Sequence, residues 1–243
     1  MFGKEVDAEI LARAMESDHE ICGVIVDDVP VFLDNIAEDP ENDFLIKETP
    51  ENAQAIFHSH PGGPFYPSDL DMRQQYATML PWAIACTHPR HNEVFWFGDG
   101  VPKPPLIGRP FRHGVTDCYE LIRDFYAQVH SINLPHVPRE WGWWHEGQTL
   151  YEDYFREVGF TPTDFHKVRP GDGLLISIRS KTPNHAAVYI GDGLMLHHIG
   201  GNNGHDPFRL STVEPVARWT PFISRVLTLE DHQIDRTPRQ GVW

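Results

Sequence analysis

The sequence predicts an α+β protein built as two domains. Short apolar runs of strand length alternate with segments of helical periodicity, and both halves of the chain show the same mixture. The densest proline stretch, residues 101–110, lies between them. Missing backbone donors and fixed φ angles make such a run an extended connector. The resulting division is a first domain over 1–100, a proline-rich linker over 101–112 and a second domain over 113–243.

Val6, Ile10, Leu11 and Ala14 fall in helical register and predict a helix over 6–15. Residues 21–26 and 55–59 are apolar runs suited to buried strands. A helix is expected from 68 to about 80, followed by strands at 82–86 and 93–97. The second half opens with a helix over about 118–129, where Leu121, Ile122, Phe125 and Val129 form one apolar stripe. A tryptophan-rich loop follows at 140–144. Strands are expected at 173–178, 185–190 and 194–198, the last two joined by the hairpin signal Gly191, Asp192, Gly193. Residues 223–229 complete the set.

Composition excludes several classes of function. The 243 residues carry 20 Lys and Arg against 35 Asp and Glu, a formal charge of −15. That balance repels phosphate backbones, and no basic patch offsets it, so nucleic acid is not an expected partner. No apolar stretch is long enough for a membrane-spanning helix, and residues 1–20 lack the basic-then-apolar order of a signal peptide. Cys22, Cys86 and Cys118 have neither paired nor metal-knuckle spacing, which argues against a disulfide-built secreted domain. Cys22 and Cys86 sit in apolar runs and read as inert core residues. Of the 15 histidines, His88, His91, His113, His136, His145 and His166 fall in predicted loops and read as solvated.

Two other histidines are placed. His58 and His60 are two apart on a predicted strand, so both imidazoles leave the same face, a geometry suited to two nitrogen ligands of one zinc ion. A Pro- and Gly-rich loop follows, and Asp71 returns one helical turn after Ser68 to offer an oxygen. Three protein ligands leave a fourth position open, the catalytic arrangement. Glu20, just before the first strand, would serve as general base, and Ser68 would hydrogen-bond a developing oxyanion. Read singly, the histidines are ordinary surface residues and Ser68 with Asp71 a helix cap. Together they form the pattern HxHPx6SxxD with an upstream Glu20, Ile21, Cys22, Gly23, which resembles the JAMM (Mov34/MPN/JAB) metalloprotease family over about residues 1–100. That resemblance implies zinc on His58, His60 and Asp71, with Glu20 as acid/base, Ser68 assisting, and hydrolysis of peptide or isopeptide bonds.

In the second half, Asp117 is expected to cap the helix with Glu120 as capping-box partner, placing Cys118 in the first turn. Unsatisfied amides and the helix dipole there favour thiolate. A nucleophilic cysteine needs an imidazole base and a group to orient it. His185 begins an apolar strand, and the hairpin can return His197 beside it. His198 alternates to the other face. Read alone, Cys118 is a buried inert cysteine. With Arg169 to Asp172, the run from His185 to Gly193 and His197, it is similar to the papain-like NlpC cysteine peptidases. The resemblance implies Cys118 as nucleophile, His185 as base, His197 as orienting residue and cleavage of cell-wall stem peptides between D-glutamate and a diamino acid. The small residues that usually follow the cysteine are replaced by Tyr119 and Glu120.

The two domains in this order resemble the tail-tip assembly protein K family of lambda-like tailed phages. That resemblance implies a virion tail-tip protein, made in the host cytoplasm and acting at the bacterial wall. Its partners would be peptidoglycan peptides and other tail-tip proteins. Two alternatives stay open: a structural plug that keeps the peptidase folds, and a bacterial protease trimming ubiquitin-like or sulfur-carrier proteins.

Overall fold

The computed structural model describes residues 1–201 and 203–237. The chain forms two compact units, Met1–Pro102 and Lys103–Trp243, each built of helix and strand.

The first unit runs α1 (Lys4–Met15), β1 (Cys22–Val26), β2 (Val29–Leu33), β3 (Ala55–Pro61), α2 (Asp69–Thr78), β4 (Pro81–Thr87) and β5 (Glu93–Gly98). The strands form one sheet in the order β2-β1-β3-β4-β5, with β3 and β4 parallel and the other pairs antiparallel. Strand β2 was not expected, because Pro30 interrupts its pattern; it is an edge strand, where proline is tolerated. Asp27 and Asp28 make the hairpin turn with φ of 49° and 61°. Val6, Ile10 and Ala14 of α1 pack on Ile25, Ala55, Phe57, Ala83 and Ala85. Since side chains alternate along a strand, Ala55 and Phe57 under α1 send Ile56, His58 and His60 to the other face.

The second unit adds β6 (Pro110–Arg112), α3 (Cys118–Phe125), α4 (Leu150–Glu157), β7 (Thr161–Thr163), β8 (Gly173–Ile176), β9 (His185–Gly191), β10 (Leu194–His197), β11 (His205–Leu210), β12 (Thr212–Pro215) and β13 (Ile223–Thr228). Six strands form an antiparallel sheet in the order β12-β10-β9-β8-β13-β7, and β6 pairs with β11. Leu121, Ile122 and Phe125 of α3 join Leu175, Ala186, Val188 and Leu196 in the core. The opposite face carries Leu174, Ile176, Ala187 and Met195.

Three expectations change. The helix from Cys118 is α-helical only to Phe125 and continues as a π turn, Tyr126–His130, so the apolar stripe reaches Val129 through a different winding. Residues 103–112 are not a free connector. Leu106 is buried in the α3 core, and Arg109 is held by Asp124 at 2.7 Å and by the Pro104 and Pro105 carbonyls. Helix α4 was missed because it is only two turns long, although Tyr151 and Phe155 at i, i+4 are both buried.

Two candidate catalytic sites

In the first unit, the face of β3 opposite α1 carries a compact cluster. His58 Nε2 lies 3.1 Å from His60 Nε2 and 3.2 Å from Asp71 Oδ1, while His60 Nε2 lies 3.5 Å from Asp71 Oδ2. His58, His60 and Asp71 are all buried, and one ligand atom from each falls within 4.8 Å of the others. Two nitrogens bound tetrahedrally to one zinc stand about 3.3 Å apart, so the cluster has the right span for that ion. The second shell agrees. His60 Nδ1 bonds the Pro64 carbonyl at 2.9 Å, which places its proton on Nδ1 and leaves the Nε2 lone pair for a metal. His58 is held by Phe44, stacked at 4.4 Å, and by Trp82 edge-on at 5.8 Å.

Asp71 also closes a capping box on α2. Its amide donates to Ser68 Oγ, and its carboxylate accepts from both the amide and the hydroxyl of Ser68 at 2.8 Å. The cap and the ligand set therefore use the same two residues. The Ser68 proton is committed to Asp71 in this state. Glu20 approaches His60 Nε2 at 4.0 Å and is buried. Burial pushes its carboxyl up to about 8, with nearby His60 opposing the rise and Asp71 and Asp43 adding to it.

In the second unit, Cys118 and His185 border a cavity of about 390 Å³ walled by Trp141, Trp143 and Trp144. Asp117 caps α3, its Oδ1 accepting from the Tyr119 and Glu120 amides at 3.0 and 3.1 Å. Glu120 does not return the bond as a capping-box partner; it pairs with Arg123 at 2.5 Å and approaches Arg139 at 3.7 Å. Tyr119 is buried with its hydroxyl on the Pro135 carbonyl, and neither it nor Glu120 borders the cavity.

The cysteine is not poised as thiolate by its helix end. Burial pushes its thiol up to about 11, and the Asp117 carboxylate adds to the rise. Its sulfur lies 3.1 Å from the Tyr151 hydroxyl, and the amide of Ala186 also faces it. His185 Nε2 meets His197 Nδ1 at 3.1 Å. In the β9–β10 register His197 faces Ala187, so the two imidazoles are diagonal neighbours on one face. His198 lies beyond β10, buried, with Nε2 on the Arg209 carbonyl. Burial depresses His185 well below the ordinary imidazole value, and the neighbouring His197 depresses it further.

His113 corrects another expectation. It is not solvated but buried, 3.3 Å from Asp117 and bonded to the Arg139 carbonyl at 2.9 Å. Arg139, also buried, holds Asp117 at 2.5 Å. Sequence reasoning did not find Arg139, Tyr151 or Glu214, the last of which stands 3.7 Å from His197 Nε2. Spacing gives no signal for residues that reach the site from a separate loop, helix and strand.

Comparison with known proteins divides the chain at the same place. Residues 4–98 match the prokaryotic homologs of the JAB domain, and residues 108–214 match the NlpC/P60 family. The chain is 42% identical over 157 residues to the tail tip assembly protein K of Escherichia phage lambda, covering 65% of this chain and 75% of that protein. The phage N15 protein of the same name is 30% identical over 218 residues, covering 82% and 86%. Among solved structures, the NlpC/p60 domain of the peptidoglycan hydrolase SagA is 18% identical, with a TM-score of 0.35 over 51% of this chain and 90% of that one. An NlpC/P60 family protein from Bacillus cereus is 13% identical, with a TM-score of 0.33 over 91% and 66%.

Proposed function

The chain belongs to the tail tip assembly protein K family, with a JAB domain followed by an NlpC/P60 cysteine peptidase domain, and from that membership we propose that it carries two hydrolytic sites with separate substrates. The cysteine site cuts peptidoglycan stem peptides between D-glutamate and a diamino acid as the phage genome passes the wall. The JAB site is a zinc peptidase acting on the wall or on a tail partner during assembly. The protein is made in the host cytoplasm, and its position in the tail tip delivers it to the wall.

The observation that carries the reading is the paired placement of Cys118 and His185 on one cavity, with His185 bonded to His197 behind it. His185 Nε2 is engaged by His197, so Nδ1 is the nitrogen that takes the Cys118 proton as sulfur attacks the carbonyl carbon. The proton then passes to the leaving amine. The Cys118 amide and the Tyr151 hydroxyl donate to the oxyanion. With thiol raised and imidazole lowered, the resting pair is neutral, and His185 acts as a general base rather than in a preformed ion pair.

A zinc ion on His58, His60 and Asp71 would supply Lewis-acid polarisation of a carbonyl and acidification of water. With that ion bound, Glu20 would take a proton from the water and return it to the leaving group. Ser68 positions Asp71, and its hydroxyl must leave that carboxylate before it can reach an oxyanion.

The test is digestion of intact sacculi by the purified chain, with Cys118→Ala and chelator-treated samples beside it and mass spectrometry of released fragments. Fragments cut at the D-glutamyl–diamino acid bond, absent with Cys118→Ala and present after chelation, support the reading. No fragments from any sample would favour the structural plug, a reading consistent with a Cys118 that is only 7% exposed.

A further inference from the structure

His185, His197 and Glu214 lie on three neighbouring strands, β9, β10 and β12. Thr212 is the residue directly opposite His197 in the β10–β12 register, so Glu214, two positions on, is its diagonal neighbour on the same face. His185 stands in the same relation to His197 across the β9–β10 pair. The three side chains therefore form a row across one face of the sheet. Glu214 Oε2 lies 3.7 Å from His197 Nε2, and that nitrogen is buried with no hydrogen-bond partner among the described residues.

Trp219 fixes the carboxylate. Its indole Nε1 donates to Glu214 Oε2 at 2.9 Å, and its ring packs on His197 at 4.9 Å and on His185 at 5.9 Å. Arg218 approaches the same oxygen at 3.4 Å from the exposed side. Burial pushes His197 down to about 4, Glu214 opposes that shift and His198 and Arg218 add to it, while His185 is a further titratable neighbour at 3.1 Å. His197 is thus neutral at working pH, with one proton to place on one of two nitrogens.

We infer that Glu214 is a positioning residue of the cysteine site, holding His197 as the Nε2–H tautomer so that its Nδ1 accepts from His185. This rests on the reading of Cys118 and His185 as nucleophile and base. When the Cys118 proton moves to His185 Nδ1, the resulting imidazolium keeps its Nε2–H and donates it to His197 Nδ1. No bond of His197 breaks, and the new positive charge faces Glu214 through the neutral ring. The opposite tautomer would present an N–H to the imidazolium and oppose the transfer.

The test combines nitrogen-15 NMR of the histidine tautomers with the pH dependence of Cys118 alkylation by iodoacetamide. The wild-type chain should show His197 protonated on Nε2; protonation on Nδ1 overturns the inference without any variant. Glu214→Gln should lower the alkylation rate at pH 7 by about ten-fold and shift the His197 tautomer. If Glu214→Gln matches wild type while His185→Ala loses the histidine-dependent rate, the inference fails and the catalytic pair survives. If His185→Ala itself matches wild type, the underlying reading of the site fails.

Discussion

The Tyr151 hydroxyl sits 3.1 Å from the Cys118 sulfur, reaching it from a helix 33 residues downstream. Trp143 packs edge-on against the Tyr151 ring at 5.2 Å and holds it there. If Cys118 attacks as proposed, a hydroxyl this close to its sulfur is also close to where the oxyanion forms. Tyr151→Phe should lower kcat on a stem-peptide substrate by about 100-fold with little change in KM. Steady-state kinetics checks this, and an unchanged kcat would remove Tyr151 from the reaction.

The ionisation of the pair predicts a two-step profile. Alkylation of Cys118 should rise as pH climbs through the depressed His185 value, because only neutral imidazole accepts the proton. The rate should stay level across neutral pH and rise again toward pH 11, where the thiol itself ionises. His185→Ala should erase the first rise and keep the second. A single rise centred near the ordinary thiol value of about 8.5 would contradict the buried, neutral pair.

The ion pair of Asp117 and Arg139 makes a stability prediction. Both are buried, and burial by itself would raise Asp117; the Arg139 guanidinium, His113 and the Gly114 amide outweigh it and hold the carboxyl well below the usual range. A depressed carboxyl stabilises the fold above its unfolded value of about 3.9, and that contribution is lost as pH falls below it. Arg139→Met strands a buried charge at the α3 cap and should cost about 3–5 kcal/mol in denaturant unfolding. Asp117→Asn should flatten the stability profile between about pH 4 and 2.

Metal binding and helix capping share Asp71, so they should separate by mutation. Titration with zinc should give one ion per chain and raise Tm, and zinc at about 100 times Kd should add about 2.7 kcal/mol. His60→Ala should abolish that binding. Ser68→Ala should keep one ion per chain, weaken it by about ten-fold or more, and cost about 1 kcal/mol through the lost cap. Equal zinc affinity in Ser68→Ala and wild type would mean that Ser68 serves the helix alone.

The sequence by itself determined whatever depends on short-range periodicity. Alternation along β3 commits His58 and His60 to one face once Ala55 and Phe57 face α1, and helical spacing places Asp71 one turn beyond Ser68. The same alternation, with the turn at Gly191 to Gly193, brings His197 to the face of His185. Tertiary structure decided the rest, because desolvation and long-range approach have no local signature. Asp117 and Cys118 read as a thiolate-favouring helix start, yet the burial that completes the core raises the thiol. His113 looks like a loop histidine until Arg139 closes over Asp117. Glu214 reaches His197 only because β12 pairs with β10, and Tyr151 reaches Cys118 only because α4 folds onto the core. Those meetings are fixed by the packing of elements distant in the chain, which no local spacing records.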